Sequence, residues 1–508
     1  MPVRFSIGLV LVLALAPVRG DQPQPETPMV DLNVIAVDSH GQPVTDLTRD
    51  EFQVTDAGKP QNIVFFRHNS AKLRQARPTD AHEFSNRRGT NIPHATVILL
   101  DLMNQGFATR GISSGQLSRY LDSLESADYL YLYILTIEGR IYPVHGLPNR
   151  EAVTPQPGQP WTRDSKRLLD DAIREVTRVR PTYMDVALRV QLTYRALEDL
   201  AAQLSRVPGR KNMVWITDGV PLTLGPMRSD TGDYVDFTPL LRQLSAALDR
   251  SGIAIYPVRQ VMMGSPDTVG DGPGGGPAGG RSGLGSIDTL EQFAAMTGGR
   301  PDAGKDIGAA IKQALSDMQT SYQVGYYPAS KNWDSKYHKL RVTCKRKGVR
   351  IQSKTAYYAW PEPPGTRAEQ AVNMAATTTF DAAEIGLRAT LTADPNQAHA
   401  ARIDAHVDAN DIVLANEGDQ YTGQLRFAVV EYTIDNRANV SALNSLDVRL
   451  NDQQREQALA DGISVTENLT MDDNIRSLRL VVFDRGSDTV GSVSIPLKQA
   501  SPTVPIFR

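Results

Sequence analysis

Apolar residues follow two rhythms along this chain, and the change between them divides it. From Met29 to His68, short apolar runs alternate with turn residues. VDLNVIAVD is followed by the turn SHGQP, and FQVTDAGKPQNIVFF reads as strand, Asp-Ala-Gly turn and strand. This pattern predicts a small β unit over 29–68. Residues 69–91 are polar and rich in arginine, and read as a linker.

From about Ile92 the rhythm changes. ATVILLDL, YLYLYILTI, KNMVWITDG and IAIYPVR are near-continuous apolar runs, as expected of parallel strands covered on both faces, and GRIYPV predicts a further strand. Between them lie helical patterns. SSGQLSRYLDSL places Leu117, Tyr120, Leu121 and Leu124 at helical spacing, with Ser113 or Ser114 as the N-cap. DSKRLLDDAIREVTRV, MDVALRVQLTYRALEDLAAQL, DFTPLLRQLSAALDRSG, TLEQFAAMTGG and DIGAAIKQALSDMQ are the others. Strand–helix alternation predicts a doubly wound α/β domain over 92–360, with functional loops at the carboxyl ends of its strands.

Residues 264–286 (GSPDTVGDGPGGGPAGGRSGLGS) form a Gly/Pro-rich insertion predicted to lack regular structure. SYQVGYYPA and YHKLRVTCKRKGVRIQSKTAYYA predict strands that extend or cap the α/β domain. PEPPG marks a boundary. After a helical AEQAVNMAA, six runs of alternating character (IGLRATLTA, ARIDAHVDA, GQLRFAVVEYTID, ISVTENLTM, SLRLVVFD and VGSVSIPL) predict a β-sandwich over 365–508.

At 508 residues the chain is too long for one ordinary domain, and 41% hydrophobic with 22% charged residues is the usage of folded cores. A net charge of −3 without a basic stripe argues against nucleic acid as a partner. Residues 1–20 carry Arg4, an apolar run from Phe5 to Ala16 and a terminal Gly20, the pattern of a secretory signal. The run is shorter than the roughly 20 residues of a membrane span, and no later segment qualifies. The expected protein is therefore exported, periplasmic or extracellular. Cys344 is the single cysteine, so cores alone hold it together.

Candidate chemistry gathers at strand ends. ATVILLD and MVWITD each deliver a carboxylate, Asp101 and Asp218, to the same edge of a parallel sheet, and Thr182 lies at the start of a helix. Neighbouring carboxylates repel, so they call for a cation or for hydroxyl donors such as Thr182 and Thr217. A hydrolase reading has one hook, the G-x-S-x-G of Gly111 to Gly115 with Ser113 as nucleophile, but no strand runs into it. No H-x-x-x-H pair suggests zinc. Tyr326-Tyr327 and Tyr357-Tyr358 read as core packing with one of each pair inside, and Lys345-Arg346-Lys347 as a solvated turn.

LTRDEFQVTDAGKPQNIVFF, ATVILLDLMNQ, VPGRKNMVWITDGVP, FAAMTGGR, SYQVGYYPA and YHKLRVTCKRKGVRI, in this order over roughly residues 30–360, resemble the von Willebrand factor A (VWA) superfamily. More closely, they resemble its VWFA-related exported proteins of acidobacterial type. The resemblance implies a Rossmann-like sheet bearing a metal-ion-dependent adhesion site, where an acidic partner side chain completes the coordination of Mg²⁺. By that resemblance the ligands are Asp101, Gln105, Thr182 and Asp218. Met103 and Gln105 stand where the family has serines, and a thioether is a poor magnesium ligand, so the implied site is altered. The implied function is non-enzymatic recognition of a protein partner through the top face, with Mg²⁺ as cofactor. The alternatives are a hydrolase using Ser113 or the Asp101/Asp218 pair, and a structural envelope component with a decayed site. Oligomeric state is left open.

Overall fold

The computed structural model describes residues 29–70, 83–86, 95–124, 126–127, 130–146, 161–162, 166–177, 186–205, 210–220, 223–224, 235–259, 282–300, 306–317, 320–328, 334, 336–359, 366–377, 381–393, 399–417, 419–435, 437–440 and 443–497. The expected signal at 1–20, Thr182 and most of the Gly/Pro-rich insertion lie outside them. The protein is mixed α/β with several sheets, and eight α-helices occur among the described residues.

One sheet carries the parallel strands. Ile253–Val258, Lys211–Ile216, Ala95–Asp101 and Leu130–Leu135 lie side by side in that order, and Ile141–His145 closes the edge antiparallel. Every position of the four parallel strands is buried, which is why their sequences are near-continuous apolar runs.

Helices cover both faces. In chain order they are α1 (Phe107–Ser123), α2 (Lys166–Val176), α3 (Val186–Leu204), α4 (Thr238–Arg250), α5 (Ser282–Thr297) and α6 (Ile307–Asp317). Alternate strand residues divide between the faces. Val97, Leu99, Met213, Trp215 and Ile255 pack with α3, α4 and α5. Ile98, Leu100, Val214, Ile216 and Tyr256 pack with α1, α2 and α6.

Two details of these helices differ from expectation. Ser113 and Ser114 are interior to α1, whose N-cap is Gly106, because the loop before it is pinned to the strand ends. Ser282, expected in the irregular insertion, begins α5. Close packing fixes Gly299 after α5, since a Cβ there would meet the Ile255 carbonyl oxygen at 1.7 Å.

The strands of 30–70 find their partners far along the chain. Val30–Val37 pairs antiparallel with Thr320–Tyr326 and with Arg350–Gln352, and Thr320–Tyr326 also pairs with Ile63–Ser70. A second sheet joins Phe52–Asp56 to Lys59–Gln61 and Tyr337–Cys344, and the latter to Ala356–Tyr358. Leu32, Val34, Phe52, Tyr322, Val324 and Leu340 fill a common core. The strands expected to extend or cap the α/β region thus pair with the N-terminal ones, sharing one apolar interior with them.

Beyond residue 365, α7 (Thr366–Thr377) lies on the outer face of an antiparallel sheet through Val372, Ala375 and Ala376. That sheet runs Ala415–Glu417, Gln420–Thr433, Ile475–Asp484, Thr489–Pro496, with Ala438–Val440 and Asn444–Leu450 also on Gln420–Thr433. Its inner face shares a core containing Leu387, Ile403, Phe427, Leu480 and Val493 with a sheet of Ile463–Thr470, Ala400–Val407, Leu387–Ala393 and Glu83–Ser85. Glu83–Ser85 comes from the stretch read as a linker. α8 (Asp452–Asp461) was not expected, although Asn451 and Gln454 form a capping box at its start and Gly462 ends it. Arg67 ties the N-terminal strands to this region, donating to the Glu384 carbonyl and pairing with Asp411 at 3.5 Å. No helix among the described residues is long and apolar enough to cross a membrane.

Candidate functional site at the carboxyl edge of the parallel sheet

Three adjacent strands end at one edge with polar residues. Leu100 is paired with Ile216, and Ile216 with Val258, so Asp101, Thr217 with Asp218, and Arg259 follow the last paired positions. The edge is built by strand register rather than by any single loop.

Asp101 is fully buried and enclosed by donors. Its Oδ1 accepts from the backbone N–H of Met103 at 3.0 Å and of Asn104 at 2.9 Å. Its Oδ2 accepts from Asn104 Nδ2 at 2.8 Å, Trp215 Nε1 at 3.1 Å and Thr217 Oγ1 at 2.8 Å. Burial pushes its pKa up, opposed by the hydrogen bonds of Asn104, Thr217 and Trp215. A carboxylate offers roughly four lone-pair directions, so these donors use all of them.

The following loop is held by the same logic. Asn104 Nδ2 also donates to Thr193 Oγ1 at 2.8 Å, and Thr193 donates to the Arg189 carbonyl at 2.8 Å. Met103 Sδ lies 3.7 Å from that hydroxyl. Gln105 Nε2 donates to Ser113 Oγ at 3.1 Å and to the Ile216 carbonyl at 3.3 Å, while its buried Oε1 has no partner.

Asp218 differs from Asp101. Its Oδ2 accepts from Gly106 N at 3.3 Å, and its buried Oδ1 has no partner. Burial pushes its pKa up to about 6, against the Gly106 and Thr109 hydrogen bonds and the charge of Arg259, with Asp101 adding to the rise. Arg259, directly after the edge strand, has buried Nε and Nη1 atoms without partners. Burial lowers its pKa and the charge of Asp218 opposes the change.

The structure therefore brings Asp101, Gln105 and Asp218 to one edge, and Thr182 lies outside the described residues. As a donor set for Mg²⁺ these residues fit poorly. Asp101 is saturated, Met103 presents sulfur, and Arg259 already places positive charge beside Asp218. The oxygens left over are Gln105 Oε1 and Asp218 Oδ1. Sequence reasoning missed Trp215, Thr193 and Arg259. The signal for Arg259 was present in IAIYPVR, a buried strand that ends on a cation just as its neighbours end on carboxylates.

Ser113, the hook of the hydrolase reading, is buried inside α1 with Gln105 Nε2 donating to its hydroxyl. No family model matches the sequence, and no curated protein matches it.

Proposed function

We propose that the chain is an exported, non-enzymatic binding protein with a VWA-like α/β core, which recognises a protein partner through the carboxyl edge of its parallel sheet. The observation that carries this reading is the contrast between the two strand-end aspartates. Asp101 is spent on internal donors, whereas Asp218, together with Gln105 and Arg259, keeps buried polar atoms unpaired at the same edge. An unsatisfied buried polar group costs about 1–3 kcal/mol. Several at one edge suit a face that is completed by something it binds.

Helices on both faces of parallel strands and a site at the strand ends accord with the VWA-like core. Export rests on the signal pattern of residues 1–20. The position of Ser113 inside a helix, facing Gln105, favours binding over hydrolysis.

The test uses the mature chain as immobilised bait, beside a variant carrying Ile112→Asp and Leu188→Asp. Both side chains are exposed apolar residues early in α1 and α3, the helices next to this edge. A control variant, Ile434→Asp, alters an exposed apolar residue in the turn that follows the strand Gln420–Thr433. A protein retained by wild type and control but lost by the edge variant supports the reading. Equal retention by all three contradicts it.

A further inference from the structure

We infer that Arg259 is the fixed cation of this edge and takes a carboxylate of the partner directly, with no metal between them. The inference rests on the edge being a binding face and adds what that face reads.

Position comes first. Thr217 N donates to the Val258 carbonyl at 3.0 Å, so the pairing of the two strands runs up to Arg259 and sets its backbone beside Thr217 and Asp218. The Nε and Nη1 atoms are buried and have no partner. Asp218 acts on the guanidinium through its charge, yet Asp218 Oδ1 is itself unpartnered. The carboxylate thus steadies the guanidinium without using up these N–H groups. A guanidinium stays charged across the accessible pH range, and its hydrogen bonds to a carboxylate are charge-assisted.

The surrounding field agrees. α1 starts at this edge with Gly106 as N-cap, no side-chain cap and no acidic residue in its first turn. Asp218 accepts from Gly106 N at 3.3 Å and so faces the partial positive charge of the helix's amino end. Asp101 is enclosed by its own donors, which use all its lone-pair directions.

A metal and a guanidinium predict opposite dependence on divalent ions: a guanidinium takes a carboxylate in chelator, whereas a contact bridged by a metal needs the ion.

The experiment titrates the mature full-length chain with N-acetyl-glutamate methylamide and, separately, with its glutamine counterpart. Each titration is run in chelator and again in excess Mg²⁺. The expected result is saturable binding of the glutamate probe in chelator, no binding of the glutamine probe, and a loss of about tenfold or more in Arg259→Gln. Should Arg259→Gln not fold, Arg259→Lys, which keeps the charge but not the planar pair of N–H groups, decides by the same loss. Binding that needs Mg²⁺ overturns the inference while leaving the edge a binding face. Equal binding by Arg259→Gln, or by the glutamine probe, also overturns it. So does the absence of saturable binding under both conditions. The binding-face reading itself is judged separately, by the retention experiment with edge variants.

Discussion

The indole Nε1 of Trp215 donates to Asp101 Oδ2 at 3.1 Å, joining two neighbouring parallel strands through a buried carboxylate. With Thr217 and Asn104 on the same oxygen, Asp101 acts as a staple between strand ends. Asp101→Ala leaves two backbone N–H groups and three side-chain donors unpaired, and should destabilise by about 3 kcal/mol or more. Asp218→Ala removes the hydrogen bonds from Gly106 N and Thr109 together with an unsatisfied oxygen, and should cost only about 1 kcal/mol. Urea denaturation of both variants measures the contrast, and equal losses would contradict the division of roles.

Divalent ions should leave the melting temperature where it stands in chelator, because Asp101 is saturated and Arg259 supplies the positive charge. A functional Mg²⁺ site at a hundredfold excess over its dissociation constant would instead stabilise by about 2.7 kcal/mol. A melt in chelator, Mg²⁺, Mn²⁺ and Ca²⁺ distinguishes the two.

Burial pushes Asp31, Asp218 and Asp484 up to about 6 from an ordinary value of 3.8. For each, the folded state binds the proton more tightly than the unfolded state does. Between about pH 4 and pH 6 these groups therefore lower stability as pH rises. Asp31 accepts from Gln323 Nε2 at 2.8 Å on one oxygen and has no partner on the other, so Asp31→Asn should flatten this dependence. Melting temperatures across that window, compared with wild type, provide the check.

Asp56 holds a buried network. Its Oδ2 accepts from Tyr326 and Tyr357, each at 3.0 Å, and its Oδ1 lies 3.0 Å from His338 Nδ1. Burial opposes charge on His338, but Asp334 and Asp56 outweigh it and raise its pKa above 6.5. Its stabilising contribution is complete below the unfolded value and is lost as pH rises through the higher folded one. His338→Gln should remove this loss above about pH 6.5, leaving the melting curve flatter there than wild type. Tyr326→Phe should cost about 1 kcal/mol at any pH in that range.

Gly299→Ala should be among the most damaging single substitutions, since the new Cβ would lie 1.7 Å from the Ile255 carbonyl oxygen. Separating α5 from the edge strand by the distance required opens the core around Phe293 and Leu290, with a loss of about 3 kcal/mol or more. Asn451→Ala removes only the cap of α8 and should cost about 1 kcal/mol. The two denaturation midpoints should differ accordingly.

Much of this was legible from local pattern. ATVILLD, KNMVWI and IAIYPV are apolar at nearly every position because both faces of their sheet are covered, and this announces buried parallel strands. Asp101 and Asp218 could be placed at one edge because a carboxylate directly after such a run has nowhere else to lie. The helix Asp452–Asp461 was also legible through its Asn451–Gln454 capping box, and was missed because strands surround it.

What the chain by itself determined is therefore local: the period of each element, its end, and the residue that its end presents. Which strands meet was decided by the tertiary structure. Val30–Val37 looks like half of a local β unit, but its partner, Thr320–Tyr326, lies across the whole α/β region. Periodicity fixes which face of a strand is apolar and says nothing of the distant strand that matches it. The same holds for the site. Thr217, 116 residues from Asp101, closes that carboxylate, and strand register alone sets Arg259 beside Asp218. A charge at a strand end can be read from sequence. Whether it is enclosed or left open depends on donors that only folding brings within hydrogen-bond reach.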